Sequence, residues 1–219
     1  MPGKRREMRG STPMPEIEFW YDFASPYGYI AAMRIDDLAS AAGIAVTWRP
    51  LLLGPIFAAR PGNPGPFQNA PPAEAAYRRR DVTRLCRRYE LPLRWPSIYP
   101  RTSLLAARVA LLGTNEGWTP GFSRAVYVAN FAEDRDIAAA ETVSGILDSL
   151  GLPARVLIDE AGTPDSKARL KDQVERAVSL GIFGAPSFRT GDGELFWGQD
   201  RLDQALEWAS DPAVRVAQS

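Results

Sequence analysis

Residues 19–29 read Phe19-Trp20-Tyr21-Asp22-Phe23-Ala24-Ser25-Pro26-Tyr27-Gly28-Tyr29, and the stretch changes character at its centre. Ile17 to Tyr21 is apolar and aromatic enough for a buried strand; Asp22 breaks the run, and Ser25-Pro26 follows as a helix-entry signal. A serine oxygen accepts an unpaired amide proton of the first turn, and proline suits the first helical position because its missing donor is not needed there. Strand, turn and helix are therefore expected within about a dozen residues. By itself Ser25-Pro26 is an ordinary cap, and its weight comes from the other end of the chain.

There, Gly181-Ile182-Phe183-Gly184-Ala185-Pro186-Ser187-Phe188 leads through Gly191-Asp192-Gly193 into Glu194-Leu195-Phe196-Trp197-Gly198-Gln199-Asp200-Arg201-Leu202. The Gly-Asp-Gly group tolerates the positive φ of a tight hairpin, so two short strands are expected. Asp200 is expected to cap a closing helix whose apolar positions are Leu202, Ala205, Leu206 and Ala209. Between the ends, helices are expected over 103–112, 121–132, 136–150, 155–160 and 165–179. A β-α-β opening, a helical middle and a β-β-α ending make an α/β protein with a thioredoxin-like fold and a large all-helical insertion. The parts are expected at 15–55 (βαβ), 56–180 (insertion) and 181–219 (ββα), after a basic, pattern-free tail at 1–14. Leu51 to Ala76 holds eight prolines and glycines between Pro55 and Pro72, and reads as largely loop.

Composition removes whole classes of chemistry. Histidine is absent from the 219 residues, which excludes a Ser-His-Asp triad, a histidine base and an ordinary histidine metal site. The single cysteine, Cys86, excludes an internal disulfide and thiol exchange within the chain; its neighbours Val82, Leu85 and Tyr89 place it on an apolar helix face. Lys plus Arg and Asp plus Glu are 26 each, so no global field points to nucleic acid or an anionic membrane. No apolar run approaches the length of a membrane span, and no secretion signal is evident, so the cytoplasm is the expected location.

The opening DFASPYGY, the middle FSRAVYVANFAEDRDI and the ending GIFGAPSF…ELFWGQDRL together resemble the 2-hydroxychromene-2-carboxylate isomerases, relatives of the kappa-class glutathione transferases. The resemblance covers nearly everything after Pro15. It implies glutathione as the cofactor, with Ser25 the catalytic partner of its thiolate. It also implies a cis Pro186 whose neighbour Ala185 offers backbone to the cysteinyl segment, and a γ-glutamyl site at Trp197, Gly198, Gln199 and Asp200. A helix N-terminus with a hydroxyl donor favours a thiolate, and a fall of about one to two pH units from the free thiol's 8.5 would ionise most of it at neutral pH. Trp197 as core filler and Asp200 as a mere cap are compatible alternatives.

The implied reaction is a glutathione-dependent isomerisation of small aromatic carboxylates, by reversible thiolate addition and elimination, in a homodimer without nucleic acid or membrane partners. Substrate contacts are expected from Tyr27, Asn63, Gln68, Asn69 and Tyr99, with Phe57, Phe67 and Trp95 as further aromatic candidates. Arg84 and Arg88, aligned at i, i+4, are candidates for a substrate carboxylate, although a solvated face is the plainer reading. Glu74 stands where relatives commonly have lysine, and Thr102 where they often have asparagine. Two alternatives remain: a kappa-type transferase or peroxidase using the same residues, and a non-catalytic thioredoxin-fold binding module. No metal site is expected.

Overall fold

The computed structural model describes residues 14–59 and 70–211. Along the chain run β1 (Glu16–Tyr21), α1 (Pro26–Ala32), α2 (Ile35–Ala42), β2 (Ala45–Pro50), α3 (Leu53–Ala58), α4 (Pro72–Arg88) and α5 (Leu104–Leu112). The second half supplies α6 (Thr119–Phe131), α7 (Ala140–Ser149), α8 (Ala154–Ala161), α9 (Pro164–Ser179), β3 (Ser187–Thr190), β4 (Leu195–Trp197) and α10 (Leu202–Ser210).

The four strands form one sheet in the order β2-β1-β3-β4. β1 pairs in parallel with β2 and antiparallel with β3, and β4 returns antiparallel to β3. This is the α/β thioredoxin-like arrangement with a helical insertion that the sequence predicts. Side chains alternate across a strand, so β1 serves two layers. Ile17, Phe19 and Tyr21 face a core shared with α1, α2, α6 and α10, where Phe19 stacks on Tyr21 and Phe188 and meets Trp48 edge-on. Trp20 faces the other way, onto Ile56 of α3 and Val174 and Ala177 of α9. Full burial of such a side chain stabilises by about 2–3 kcal/mol, which makes β1 the strand both layers depend on.

Three expectations change. Within the stretch expected to be loop, residues 53–58 form α3 and residues 72–76 open α4. Pro55 and Pro72 fall in first turns, where a missing N–H costs no helical bond, so these prolines start helices. Asp200 does not cap α10: the chain enters through a 3-10 turn, Gln199–Arg201, with no side-chain cap, because Gly198 at φ 110° turns the backbone earlier. The helix expected from Asp136 begins at Ala140, since the Asp136 carboxylate accepts the Ala138 amide in a local turn.

α6 holds the β1–α1 turn in place. Tyr127 Oη donates to the Asp22 carbonyl at 2.9 Å, Asn130 Nδ2 to the Phe23 carbonyl at 3.0 Å, and Ser123 Oγ shares a hydrogen bond of 2.6 Å with Tyr21 Oη. α1 itself is buried along nearly its whole length, and Gly28 is there because Tyr127 is so close: a Cβ on residue 28 would stand 2.5 Å from Tyr127 Oη. On the opposite wall, the irregular segment before α5 is pinned by Asp134, whose carboxylate accepts from Ser97 N at 2.8 Å and Arg101 at 2.5 Å. Those donors hold the Asp134 carboxyl at about 2, below the ordinary carboxylate range.

Two outcomes are expected. Gly28→Ala forces its methyl into Tyr127 Oη and lowers stability by about 1–3 kcal/mol in urea unfolding, without a change of fold; an unchanged midpoint would show that Tyr127 yields freely. A carboxylate with a lowered folded pKa contributes stability above its unfolded value, near 4, and loses it as pH falls toward 2. Asp134→Asn, an isostere that also tolerates the φ of 59° found there, is therefore expected to flatten the acid limb of stability between about pH 4 and 2, measured by thermal unfolding across that range.

Candidate active site

Where the two halves of the chain meet, a cavity of about 1260 Å³ opens between the start of α1, the segment 183–186, the β4–α10 turn and the walls given by α3, α4 and the segment before α5. Ser25 stands at its centre of gravity in the chain's logic: as N-cap of α1 its Oγ accepts from Gly28 N at 3.0 Å, and its own proton goes to the Ala185 carbonyl at 3.0 Å. The Ala185–Pro186 peptide is cis. One hydroxyl, bonded on both sides, thus spans 160 positions of sequence.

Asp22, three residues before Ser25, lies beneath the same opening. Its carboxylate is buried and accepts three hydrogen bonds: Ala24 N at 2.9 Å, Leu53 N at 2.7 Å and Ser103 Oγ at 2.7 Å. Burial pushes its pKa up while those three donors pull it down, and burial is the larger effect.

The far rim carries the sequence Trp197-Gly198-Gln199-Asp200. Trp197 is 52% exposed, so it is no core filler; its ring lies against Phe183 with centroids 4.8 Å apart. Gly184 makes that contact possible, since a Cβ there would sit 2.4 Å from the indole nitrogen. Gln199 is buried, borders the cavity and leaves Oε1 without a hydrogen-bond partner. Gly198 N donates to the Pro186 carbonyl and Arg201 N to the Gly198 carbonyl, so the first-turn amides of Gln199 and Asp200 are the rim's donors beside the acceptor of Gln199 and the exposed carboxylate of Asp200.

At the other end the lining is more apolar, from Leu52, Leu53, Pro55, Phe57, Leu85 and Leu104, with Tyr27 and Tyr99 among them. Tyr27 Oη donates to Asp81 at 3.0 Å, and burial followed by the Asp81 charge raises its phenol pKa. Burial likewise raises that of Tyr99. The lining cations are already engaged: Arg78 with Glu74, Arg101 with Asp134, and Arg201 within 4.0 Å of Asp200.

Of the residues singled out in the sequence, Ser25, Tyr27, Tyr99, Ala185, Pro186, Trp197, Gly198, Gln199 and Asp200 border this one cavity, as do Phe57 and Thr102. Asn63, Gln68, Asn69 and Phe67 lie outside the described residues. Arg84 and Arg88 do not border it: Arg84 pairs with Asp81, and Arg88 lies over the Tyr89 ring. Trp95 stands behind Tyr99 instead of in the lining. Cys86 is buried packing, its thiol pushed up to about 11 by burial. Sequence reasoning missed Asp22, which reads as a strand breaker, as well as Phe183, Asp81 and Ser103. Only Asp22 carried a local signal, its position one turn ahead of Ser25. Among the described residues, no group of histidine, cysteine and carboxylates is arranged to hold a metal ion, and no helix is long and apolar enough to cross a membrane.

The chain resembles known proteins over most of its length. It is 28% identical over 187 residues to the 2-hydroxychromene-2-carboxylate isomerase of Sphingobium xenophagum, covering 85% of this chain and 94% of that one. It is 23% identical over 212 residues to glutathione S-transferase kappa 1 of Caenorhabditis elegans, covering 91% and 92%. A solved structure of a 2-hydroxychromene-2-carboxylate isomerase superposes with a TM-score of 0.79 at 25% identity, covering 89% of this chain and 93% of that one. The model of the DSBA-like thioredoxin domain matches residues 16–208, and the chain belongs to that family.

Proposed function

We propose that this protein is a glutathione-dependent isomerase of 2-hydroxychromene-2-carboxylate-type aromatic substrates. The observation that carries the reading is the Ser25 hydroxyl, placed at a helix start opposite a cis-proline strand in a chain with no cysteine there to do redox chemistry. The cavity residues fit glutathione: Gln199 holds a buried, unpartnered acceptor, and the rim offers the Gln199 and Asp200 amides and the Asp200 carboxylate to the two charged ends of a γ-glutamyl group. When bound, glutathione supplies a thiolate nucleophile that can add to a conjugated carbon and leave again.

The chain's own residues do the rest. Ser25 accepts from Gly28 N and donates to the Ala185 carbonyl, so its proton is the part of the site that can be redirected. The Ala185 carbonyl would also accept from a peptide N–H of the bound group, and the Ser25 hydroxyl could then turn its proton toward the sulfur. Ligand binding and thiolate stabilisation become one exchange. The apolar end around Phe57, Leu85 and Leu104 takes a flat ring, and Tyr99 brings a phenol group to the oxygen on which negative charge develops, while the Tyr27 phenol, held by Asp81, walls the same end. A pair of neutral phenols with raised pKa values stays protonated throughout the neutral range.

The kappa-class relative supports a second reading, in which glutathione is consumed by conjugation. The two separate on one assay: isomerisation leaves the free-thiol count unchanged after many turnovers, and conjugation lowers it one for one.

For the first reading, thiolate absorbance in the ultraviolet is expected to grow as glutathione saturates the protein at pH 7, with a bound-thiol pKa about one to two units below 8.5. Ser25→Ala is expected to return that pKa most of the way and to cost activity about tenfold or more, while losing about 1 kcal/mol of stability with the cap. A Ser25→Ala variant with full activity and an unaltered thiolate titration would remove Ser25 from the mechanism.

A further inference from the structure

We infer that the Asp22 carboxylate is the internal base that receives the thiol proton when the ligand's sulfur becomes a thiolate. This rests on the glutathione reading above and adds a catalytic residue to it.

A thiol that ionises in this cavity hands its proton either to solvent or to a group of the chain, and the chain has no histidine to take it. The carboxylates bordering the cavity are Asp22, Asp81 and Asp200. Asp81 is occupied by the Tyr27 hydroxyl and by Arg84, and Asp200 is exposed and belongs to the far rim beside Arg201. Asp22 alone of the three is buried, in the turn that delivers Ser25, whose backbone N–H donates to the Asp22 carbonyl at 2.9 Å.

Three donors converge on the Asp22 carboxylate, and an ionised carboxylate offers about four acceptor directions. One direction is left, and the residue borders the cavity. All three bonds are donated to it, so the empty site is built for the ionised form. Burial nevertheless makes that charge costly and raises the affinity for a proton. The groups that face it are Tyr99 from the segment before α5, Ser103 at the head of α5 and Tyr127 from α6, none of them cationic, while Arg101 is spent on Asp134.

In the step itself the S–H bond breaks, sulfur keeps the electron pair, and an O–H bond forms on Asp22. The site carries one negative charge before and after; the charge moves from carboxylate to sulfur, where the Ser25 hydroxyl and the start of α1 receive it. When the thiolate leaves the ligand site as thiol, the proton returns along the same path. Two anions are thereby never held together in the buried site, which would oppose both.

The test counts protons. Glutathione is titrated calorimetrically into the full chain near pH 7 in phosphate and in Tris, whose different ionisation heats report protons released to solvent, while ultraviolet absorbance reports thiolate. Thiolate formation with near-zero proton release is the expected result. Thiolate formation with one proton released per site overturns the role of Asp22 and leaves the glutathione reading standing; saturation without thiolate, or no binding, overturns both. Asp22→Asn is expected to release one proton per thiolate formed, or to lose most of the thiolate at pH 7. Because its three donors anchor the turn, a variant that keeps the carboxylate is needed as well. Ser103→Ala removes one donor to the ionised form, so the pH at which proton release falls from one to zero is expected to rise by about one unit. An unmoved transition in Ser103→Ala would show that the titrating group is not Asp22.

Discussion

The hydrogen bond from Ser25 Oγ to the Ala185 carbonyl joins segments that the sequence keeps 160 residues apart, at the cavity where the β1–β3 pairing brings them together. A side chain that only capped α1 would accept the Gly28 amide and leave its proton to solvent. Here the proton crosses to the strand entry instead, so the βαβ and ββα parts are tied at the point where a ligand would enter between them. Phe183 and Trp197 flank this bond on one side through the 183–186 segment, and Tyr27 on the other through α1.

The bond holds its place because the turn beneath it is over-determined. Residues 22 and 23 give up their carbonyls to Tyr127 and Asn130, the Asp22 carboxylate gathers Ala24, Leu53 and Ser103, and Gly28 admits the Tyr127 hydroxyl within a distance no other residue would allow. The helical insertion is therefore a structural partner of the turn as well as a cover over it. This gives a physical meaning to the segment Phe122 to Ile137, which in the sequence is only a signature: Ser123, Tyr127, Asn130 and Asp134 are spaced along α6 and its exit to hold the β1–α1 turn and the segment before α5.

How much of this was legible follows from the range of each signal. Strand β1, the cap at Ser25, the β3–β4 hairpin and the apolar face of α10 depend on neighbours in sequence, and all were readable. Two of the failures are also local in cause. Prolines in 51–76 read as breakers because composition does not say whether a proline falls in a first turn, where it starts a helix. Gly198 with positive φ displaces the helix entry past the residue best suited to cap it. Asp22, Asp81 and Ser103 were missed because their roles come from contacts across 31 to 81 positions, or, for Asp81, from Tyr27 54 positions away. A resemblance singled out Pro186 and the Trp197–Asp200 rim together, and they border one cavity; residue types alone left core filling and capping open beside it.

The charges lining the cavity point to how a ligand is held. Arg78 faces Glu74, Arg101 is tied down by Asp134 and Asn130, and Arg201 is exposed near Asp200. A carboxylate entering this space meets cations that already have partners, so displacing one of those partners would cost much of what the new ion pair returns in a partly exposed setting. The buried Gln199 oxygen, an acceptor for a ligand's N–H, faces no such competition. Recognition by oriented dipoles also suits the chemistry, because a negative charge that travels among carboxylate, sulfur and substrate oxygen is best served by neutral donors near each station. A fixed cation would hold it at one.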